Sequence, residues 1–309
     1  MKHTRGKAVV FIVAAMTVGG CASTSSSLQA QAESHLIDGV TGAPLTLESI
    51  QPLLAASRHI YVGEEHASAE DHAVQLAVLE TLQSMGQGIV LGVEWLPYTL
   101  QGELSQWQAE PLSKDNFLKL VDWQKTWGFD LELYWPILSW AHTNRVPIIA
   151  LNAPRKLVFG FSEHGREGLT PEDRQALPPL DSGNAAHRAY FVHMMRKAAE
   201  EMGTKGHHTG FEEHIDSYYQ AQLIWDETMA RQVSKLFKAP EHQLHTIVVL
   251  AGRGHVDFGL GIPERVLKAT QHDYLTIAPA TEKHPPTTEE EEQMAGWPVA
   301  RAHIFWLAP

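Results

Sequence analysis

The chain has 309 residues, with 36 acidic against 24 basic side chains for a formal charge of −12, and one cysteine, Cys21. Such acidity argues against a nucleic-acid partner and against direct electrostatic attachment to anionic lipid. A lone cysteine cannot pair within the chain, so a disulfide framework is excluded.

The first residues read as an address. Lys2, Arg5 and Lys7 precede an apolar stretch, Ala8 to Val18, that is too short to span a bilayer as a stable helix. Val18-Gly19-Gly20-Cys21 resembles the bacterial lipobox, in which the cysteine is lipidated and becomes the mature N-terminus. Residues 1–20 are thus expected to be a lipoprotein signal peptide. Residues 21–34, small and polar, are expected to be the lipidated Cys21 and a flexible tether to a domain spanning 35–309. Residues 1–20 hold those three bases and no acid, so their removal takes the charge from −12 to −15.

Four short β-branched runs follow, each ending in acid, amide or histidine. His59-Ile60-Tyr61-Val62 leads to Gly63-Glu64-Glu65-His66, and Ile89 to Val93 leads to Glu94. Pro147 to Leu151 leads to Asn152, and Ile247 to Ala251 leads to Gly252-Arg253-Gly254-His255. Such runs read as buried strands of a parallel sheet. After the first, Ser68 is a helix N-cap, and apolar residues carry the helix to Gly86. A Trp-rich helical region follows Glu94, and Tyr134 to Ala141 reads as a helix with Pro136 in its first turn.

Residues 154–245 show no strand pattern. Helices are expected near 171–177, 185–202 and 212–238, with a Gly-rich break over 203–210. Ninety residues exceed what a crossover between parallel strands needs, so a helical insert or cap over the strand ends is expected. Further strands are expected at Tyr274–Ala278 and His303–Leu307. The acidic run Glu289 to Glu292, within 283–298, reads as an exposed loop. The fold class is therefore α/β, a mostly parallel sheet flanked by helices, with a helical insert or cap.

Ligands of open α/β sheets bind outside the carboxyl ends of the strands. Glu64, His66, Glu94 and His255 are expected in one pocket there, with Asn152 on its border. Any one of them is explained as a helix cap or a sheet-edge hydrogen bond; their convergence from distant positions points to a site. Glu65, His66, Glu94 and His255 are ligand types for a divalent transition metal. Gly63 and Gly252 are expected to turn the chain sharply off its strands. Tyr219, Gln222 and Asp226 lie at i, i+3 and i+7, a polar stripe on one helical face. There is no Gly-x-Ser-x-Gly elbow, His-Glu-x-x-His or phosphate loop, which lowers serine hydrolase, zincin and nucleotidase readings.

Five blocks carry a family resemblance: Val62 to His66 with His72 and Gln75; Leu91 to Glu94; Ala150 to Arg155; Ala221-Gln222 with Trp225 to Ala230; and Ala251 to His255 with Gly261-Ile262-Pro263. In this order, over roughly residues 45 to 270, they resemble the ChaN family, related to the Tiki and TraB proteins. The resemblance implies a lipoprotein that binds haem in iron uptake. It also implies, as an alternative, a metal-dependent hydrolase of the Tiki kind using the paired Gly-x-x-His elements.

A haem carrier needs an axial ligand, an apolar slot and groups for the propionates. Tyr98, Tyr134, Tyr218 and Tyr219 are the candidate phenolate ligands, and Gln222, Asp226, Asn152 and Arg155 are counted with them as cofactor-binding. A hydrolase would use Glu64 or Glu94 to take the proton of a water on a metal held by Glu65, His66, Glu94 and His255. Haem binding is the leading expectation, with a homodimer sharing the flat ligand among the expected assemblies. Lipidated Cys21 would hold the protein in the bacterial cell envelope, and Ala22 after it accords with the outer membrane.

Overall fold

The computed structural model describes residues 36–201, 208–280 and 300–308; Cys21, the tether and the acidic run lie outside them. Among the described residues, no helix is long and apolar enough to cross a membrane.

One eight-stranded sheet organises the domain. It opens with β1 (Leu36–Asp38) and β2 (Pro44–Leu45), continues with β3 (His59–Glu64), β4 (Ile89–Pro97) and β5 (Ile148–Asn152), and closes with β6 (Thr246–Gly252), β7 (Tyr274–Ala280) and β8 (Ile304–Leu307). The spatial order is β2-β1-β8-β7-β3-β6-β4-β5. Pairing is parallel from β8 to β5, while β1 runs antiparallel to both β8 and β2.

The central strands β3 and β6 are buried along their whole length because both faces of the sheet are covered. Side chains alternate between those faces. Ile60, Val62, Val248 and Leu250 enter one core with α2 (Ala69–Ser84) and α6 (Leu131–Thr143). Tyr61, Ile247, Val249 and Ala251 enter the other, against α10 (His208–Leu236) and α11 (Ile262–Thr270). Each Val or Leu so buried stabilises the fold by about 1.5–3 kcal/mol.

The chain runs outward from β3 through β4 to β5, then returns to β6 between β3 and β4, and on to β7 beyond β3. The outward crossovers pack on the first core and the returning helices on the second. The carboxyl ends of β3, β6 and β4 therefore surround a reversal of winding, where an α/β sheet opens a crevice.

Several elements depart from the sequence-based expectation. The edge pair β1–β2 and α1 (Leu47–Ala56) were not foreseen; α1 starts at a capping box in which Thr46 and Ser49 exchange hydrogen bonds. β4 does not stop at Val93 but runs through Glu94 and Trp95 to Pro97, with a register shift against β5 between Val93 and Pro97. α6 begins at Leu131, capped by Asp130, so Pro136 lies inside the helix rather than in its first turn.

The Trp-rich stretch folds as α3 (Gln101–Ala109), α4 (Lys114–Val121) and α5 (Trp123–Thr126) before α6. Between β5 and β6 lie α7 (Arg155–His164), which was not foreseen, then α8 (Pro171–Ala176), α9 (Ala185–Glu201) and α10. α10 begins at His208, earlier than the sequence pattern suggested.

Candidate functional site

The first half of the site grows from the end of β3. Glu64 is buried, and its carboxylate collects donors. The Gln75 amide donates to Oε2 at 2.8 Å and the Trp95 indole to Oε1 at 3.3 Å. His66 Nδ1 lies 3.0 Å from Oε1, and His72 Nε2 lies 3.3 Å from Oε2. His72 is fixed by its other nitrogen, which donates to the Ser68 carbonyl at 2.6 Å. The Tyr134 hydroxyl donates to the His66 carbonyl at 2.8 Å. Trp127 and Phe129 flank the His66 ring at centroid distances of 4.8 and 4.9 Å.

The second half joins β4, β6 and α10. Glu94 Oε2 accepts the Gly252 N–H at 2.6 Å, and Oε1 lies 3.3 Å from His255 Nε2. His255 Nδ1 donates to Asp226 Oδ1 at 2.6 Å. The other Asp226 oxygen lies 3.1 Å from His187 Nε2, whose Nδ1 lies 3.1 Å from the Tyr219 hydroxyl. Gln222 donates to the Gly254 carbonyl at 3.3 Å and sits 2.9 Å from His255 Nδ1. The stripe of Tyr219, Gln222 and Asp226 on α10 thus delivers all three residues to one network.

Burial works against every charge here, and the pairing outweighs it. Burial lowers the His255 pKa, yet Glu94 and Asp226 together hold it well above the usual imidazole range. Asp226 is held well below the carboxylate range by His255 and His187 despite its burial. Burial raises Glu64, but hydrogen bonds from His66 and His72 bring it down, and Glu94 is lowered chiefly by His255 in the same way. His66 and His72 are correspondingly raised.

Beside these groups opens a cavity of about 680 Å³. His66, Glu94, Trp95 and His255 line its inner end; Leu100, Leu120, Val121, Trp127, Phe129, Phe159 and Trp225 add apolar wall. Lys125, Asn152 and Arg155 line it as well, with Lys125 and Arg155 exposed. The Asn152 side chain accepts the Ala153 N–H at 2.8 Å, which fixes the start of the segment entering α7.

Not every residue anticipated from sequence faces this cavity. None of the four tyrosines lines it. Tyr134 is fully buried, and burial pushes its phenol well above its usual range; Tyr219 is buried against His187, and burial raises it to about 12. Tyr218 is exposed, and Tyr98 is half-buried between the lining residues Pro97 and Thr99.

Glu64 stands behind His66. Glu65 turns away, 3.4 Å from Arg253, with its N–H donating to Asp71. Among the described residues no three His, Cys, Asp or Glu side chains are grouped to hold a metal ion. Of the expected set, His66, Glu94 and His255 line one cavity, while Glu65 faces Arg253.

The glycines also act differently from expectation. Neither Gly63 nor Gly252 has a positive φ. A Cβ on Gly252 would lie 2.7 Å from His66 Cε1, so this glycine makes room for the imidazole; at Gly63 a Cβ would meet only ordinary contacts, 3.6 Å or more away. His187 and Trp95 are the members of the network that sequence reasoning missed. Their signals were slight: a histidine early in α9, and an indole directly after Glu94.

A family model described as haem-binding uptake, Tiki superfamily, ChaN matches residues 52–266. A Campylobacter jejuni structure described as cofacial haem binding to ChaN superposes with a TM-score of 0.64 at 15% identity, covering 87% of this chain and 94% of that one. Protein RETICULATA-RELATED 5, chloroplastic, of Arabidopsis thaliana is 24% identical over 247 residues, 74% of this chain. The chain spans only 32% of that plant protein's length. The family match covers well over half of the sequence, and on that ground the chain belongs to the haem-binding uptake family ChaN of the Tiki superfamily.

Proposed function

We propose that this protein binds haem in the 680 Å³ cavity, with His66 as the axial ligand of the iron. Membership of the haem-binding family supports the ligand class. The observation that carries the site is the state of His66. Its Nδ1 lies 3.0 Å from Glu64 Oε1, which leaves Nε2 as the nitrogen available to a ligand, on a residue that lines the cavity. An imidazole oriented by a carboxylate is the common arrangement for a metal-binding histidine.

The residues fit the group in other ways. The volume lies within the range of cofactor pockets, roughly 300–1,000 Å³. Indole and phenyl rings offer flat apolar walls, and Lys125 and Arg155 provide cations for two propionates. When bound, the haem would supply the iron and its redox and ligand-exchange chemistry. The chain's own contribution is to hold the macrocycle, present the imidazole and exclude water.

The physiological setting follows from the leading residues. With Cys21 lipidated and 22–34 as tether, the domain would be held at a membrane of the bacterial envelope, most naturally the outer one, and serve haem or iron uptake. Metabolic labelling with a radioactive fatty acid tests this, since Cys21→Ser should lose the label.

Haem binding itself is tested by titrating the 22–309 fragment with haemin. A Soret band saturating near one equivalent per chain is expected, or near one per two chains where a homodimer shares the haem. His66→Ala should remove or shift that band while the fold persists by circular dichroism. A Soret band unchanged in His66→Ala but altered in Tyr98→Phe would overturn the ligand assignment and move it to the neighbouring segment of β4.

A further inference from the structure

The register of the sheet fixes the end at which the domain joins the chain before it. Leu36, the first described residue, pairs with Trp306, and Trp306 pairs with Pro279. β7 and β3 align Ile277 with Val62, which puts Pro279 level with Glu64, and Glu64 pairs with Gly252. β1 is antiparallel to β8, so the chain enters it from the carboxyl ends of the parallel strands. The cavity opens at those same ends, beside His66, Glu94, Asn152 and His255. Two phenyl rings stand exposed among its lining residues, Phe129 at 37% and Phe159 at 46%. Lys125 and Arg155 line it as exposed cations, and Asp122 is the exposed acid among the lining residues. The Arg155 guanidinium lies 5.2 Å from the centre of the Phe159 ring.

We infer that this rim is the face the protein lays on a lipid bilayer, with Phe129 and Phe159 among the headgroups and the cavity open to the lipid. Apolar rings flanked by Lys or Arg suit that boundary, since the rings enter the acyl edge while the cations meet phosphate. The anchor in this inference rests on the reading of Cys21, whereas the face rests on the register and the rings. From Cys21, residues 22–34 reach at most about 45 Å even when fully extended. A domain the size of 35–309 is about 50 Å across, so that length cannot wrap round it to turn the opposite, amino-end face to the same lipid. The charge of −15 without residues 1–20 opposes anionic lipid, so the anchor and the rings hold the contact rather than net charge. A flat, sparingly soluble ligand then passes between lipid and cavity without crossing water.

The test couples the 21–309 chain through Cys21, its single thiol, to maleimide-bearing phosphatidylcholine vesicles. This replaces the native lipid, so the result does not depend on lipidation in the cell. Carbene footprinting with mass spectrometry then compares the coupled and the free chain. Labelling of Phe129 and Phe159 should fall several-fold on coupling. Leu244, 92% exposed in the turn before β6 at the amino ends of the strands, should be labelled as before. Unchanged labelling of the two phenylalanines, or an equal fall at Leu244, overturns the inference. A fall at Phe129 and Phe159 in the free chain as its concentration rises assigns the face to a second copy and also overturns it. Mere crowding at the vesicle is separated by Phe129→Glu with Phe159→Glu, both at exposed positions: Lys125 and Arg155 should lose their protection in this folded variant, and protection that persists overturns the inference. If the footprint appears on vesicles but Cys21 carries no lipid in the cell, the anchor reading falls while the lipid-facing rim is supported.

Discussion

His255 Nδ1 and Asp226 Oδ1 meet at 2.6 Å, and that single buried contact ties the turn after β6 to the middle of α10. The opposite nitrogen of His255 faces Glu94, so one imidazolium bridges two carboxylates from two different elements. Removing one partner of a buried charge pair leaves the other charge desolvated and uncompensated. Asp226→Asn is therefore expected to destabilise the domain by roughly 3–5 kcal/mol. Urea denaturation of the two proteins at one pH measures it, and a loss under about 1 kcal/mol would show that the bridge contributes little.

The same groups dictate a pH dependence. His66, His72 and His255 have folded pKa values raised above 6.5, so the stability they contribute is complete below 6.5 and lost as pH rises through the raised values. Glu64, Glu94 and Asp226 are depressed below 4.5, 4.5 and 3.8, and their contribution is lost as pH falls through the depressed values. His59, lowered to about 4 by burial, and His303, also lowered, weaken the fold below 6.5. Stability should therefore peak near pH 6.5 and decline toward pH 9. Unfolding free energies measured from pH 6 to 9 at constant ionic strength should show this slope, and Asp226→Asn should flatten it.

The central strands were legible because burial on both faces writes a continuous apolar run into the sequence, as in Ile247 to Ala251. The stripe on α10 was legible because helical spacing alone puts Tyr219, Gln222 and Asp226 on one face. The edge strands β1 and β2 were not, since three and two residues are too few for any alternation to register. Nor could spacing show that Glu65 and His66, adjacent in sequence, point to different sides of the strand end. Which nitrogen of a histidine is taken, and by what, is a property of tertiary packing that no local pattern encodes.

The tyrosines provide a third test. None of Tyr98, Tyr134, Tyr218 or Tyr219 lines the cavity, so single replacements by Phe should leave the Soret maximum in place. Tyr134→Phe removes the hydrogen bond to the His66 carbonyl and should cost about 0.5–1.5 kcal/mol of stability, with a modest loss of haemin affinity. Tyr218→Phe, at an exposed position, should change neither. A Tyr replacement that abolishes the band would identify a phenolate ligand instead.

Gly252→Ala isolates the geometry of His66 from its chemistry. The added methyl would lie 2.7 Å from His66 Cε1 and 3.2 Å from Nε2, closer than carbon tolerates, while Glu94 Oε2 is 3.5 Å away. The φ of −54° is compatible with alanine, so backbone strain is not the cause of any loss. The ring must move, since the strand holding position 252 is buried between β3 and β4 and has no room to shift. Overpacking of this size costs about 1–3 kcal/mol, which circular dichroism melting would register as a lower but still cooperative transition. Haemin affinity should fall by more than that stability change implies, because Nε2 leaves its place even in the folded fraction. Full haemin affinity in a folded Gly252→Ala protein would mean that the position of the His66 ring does not govern binding, and the assignment of His66 as axial ligand would fall with it.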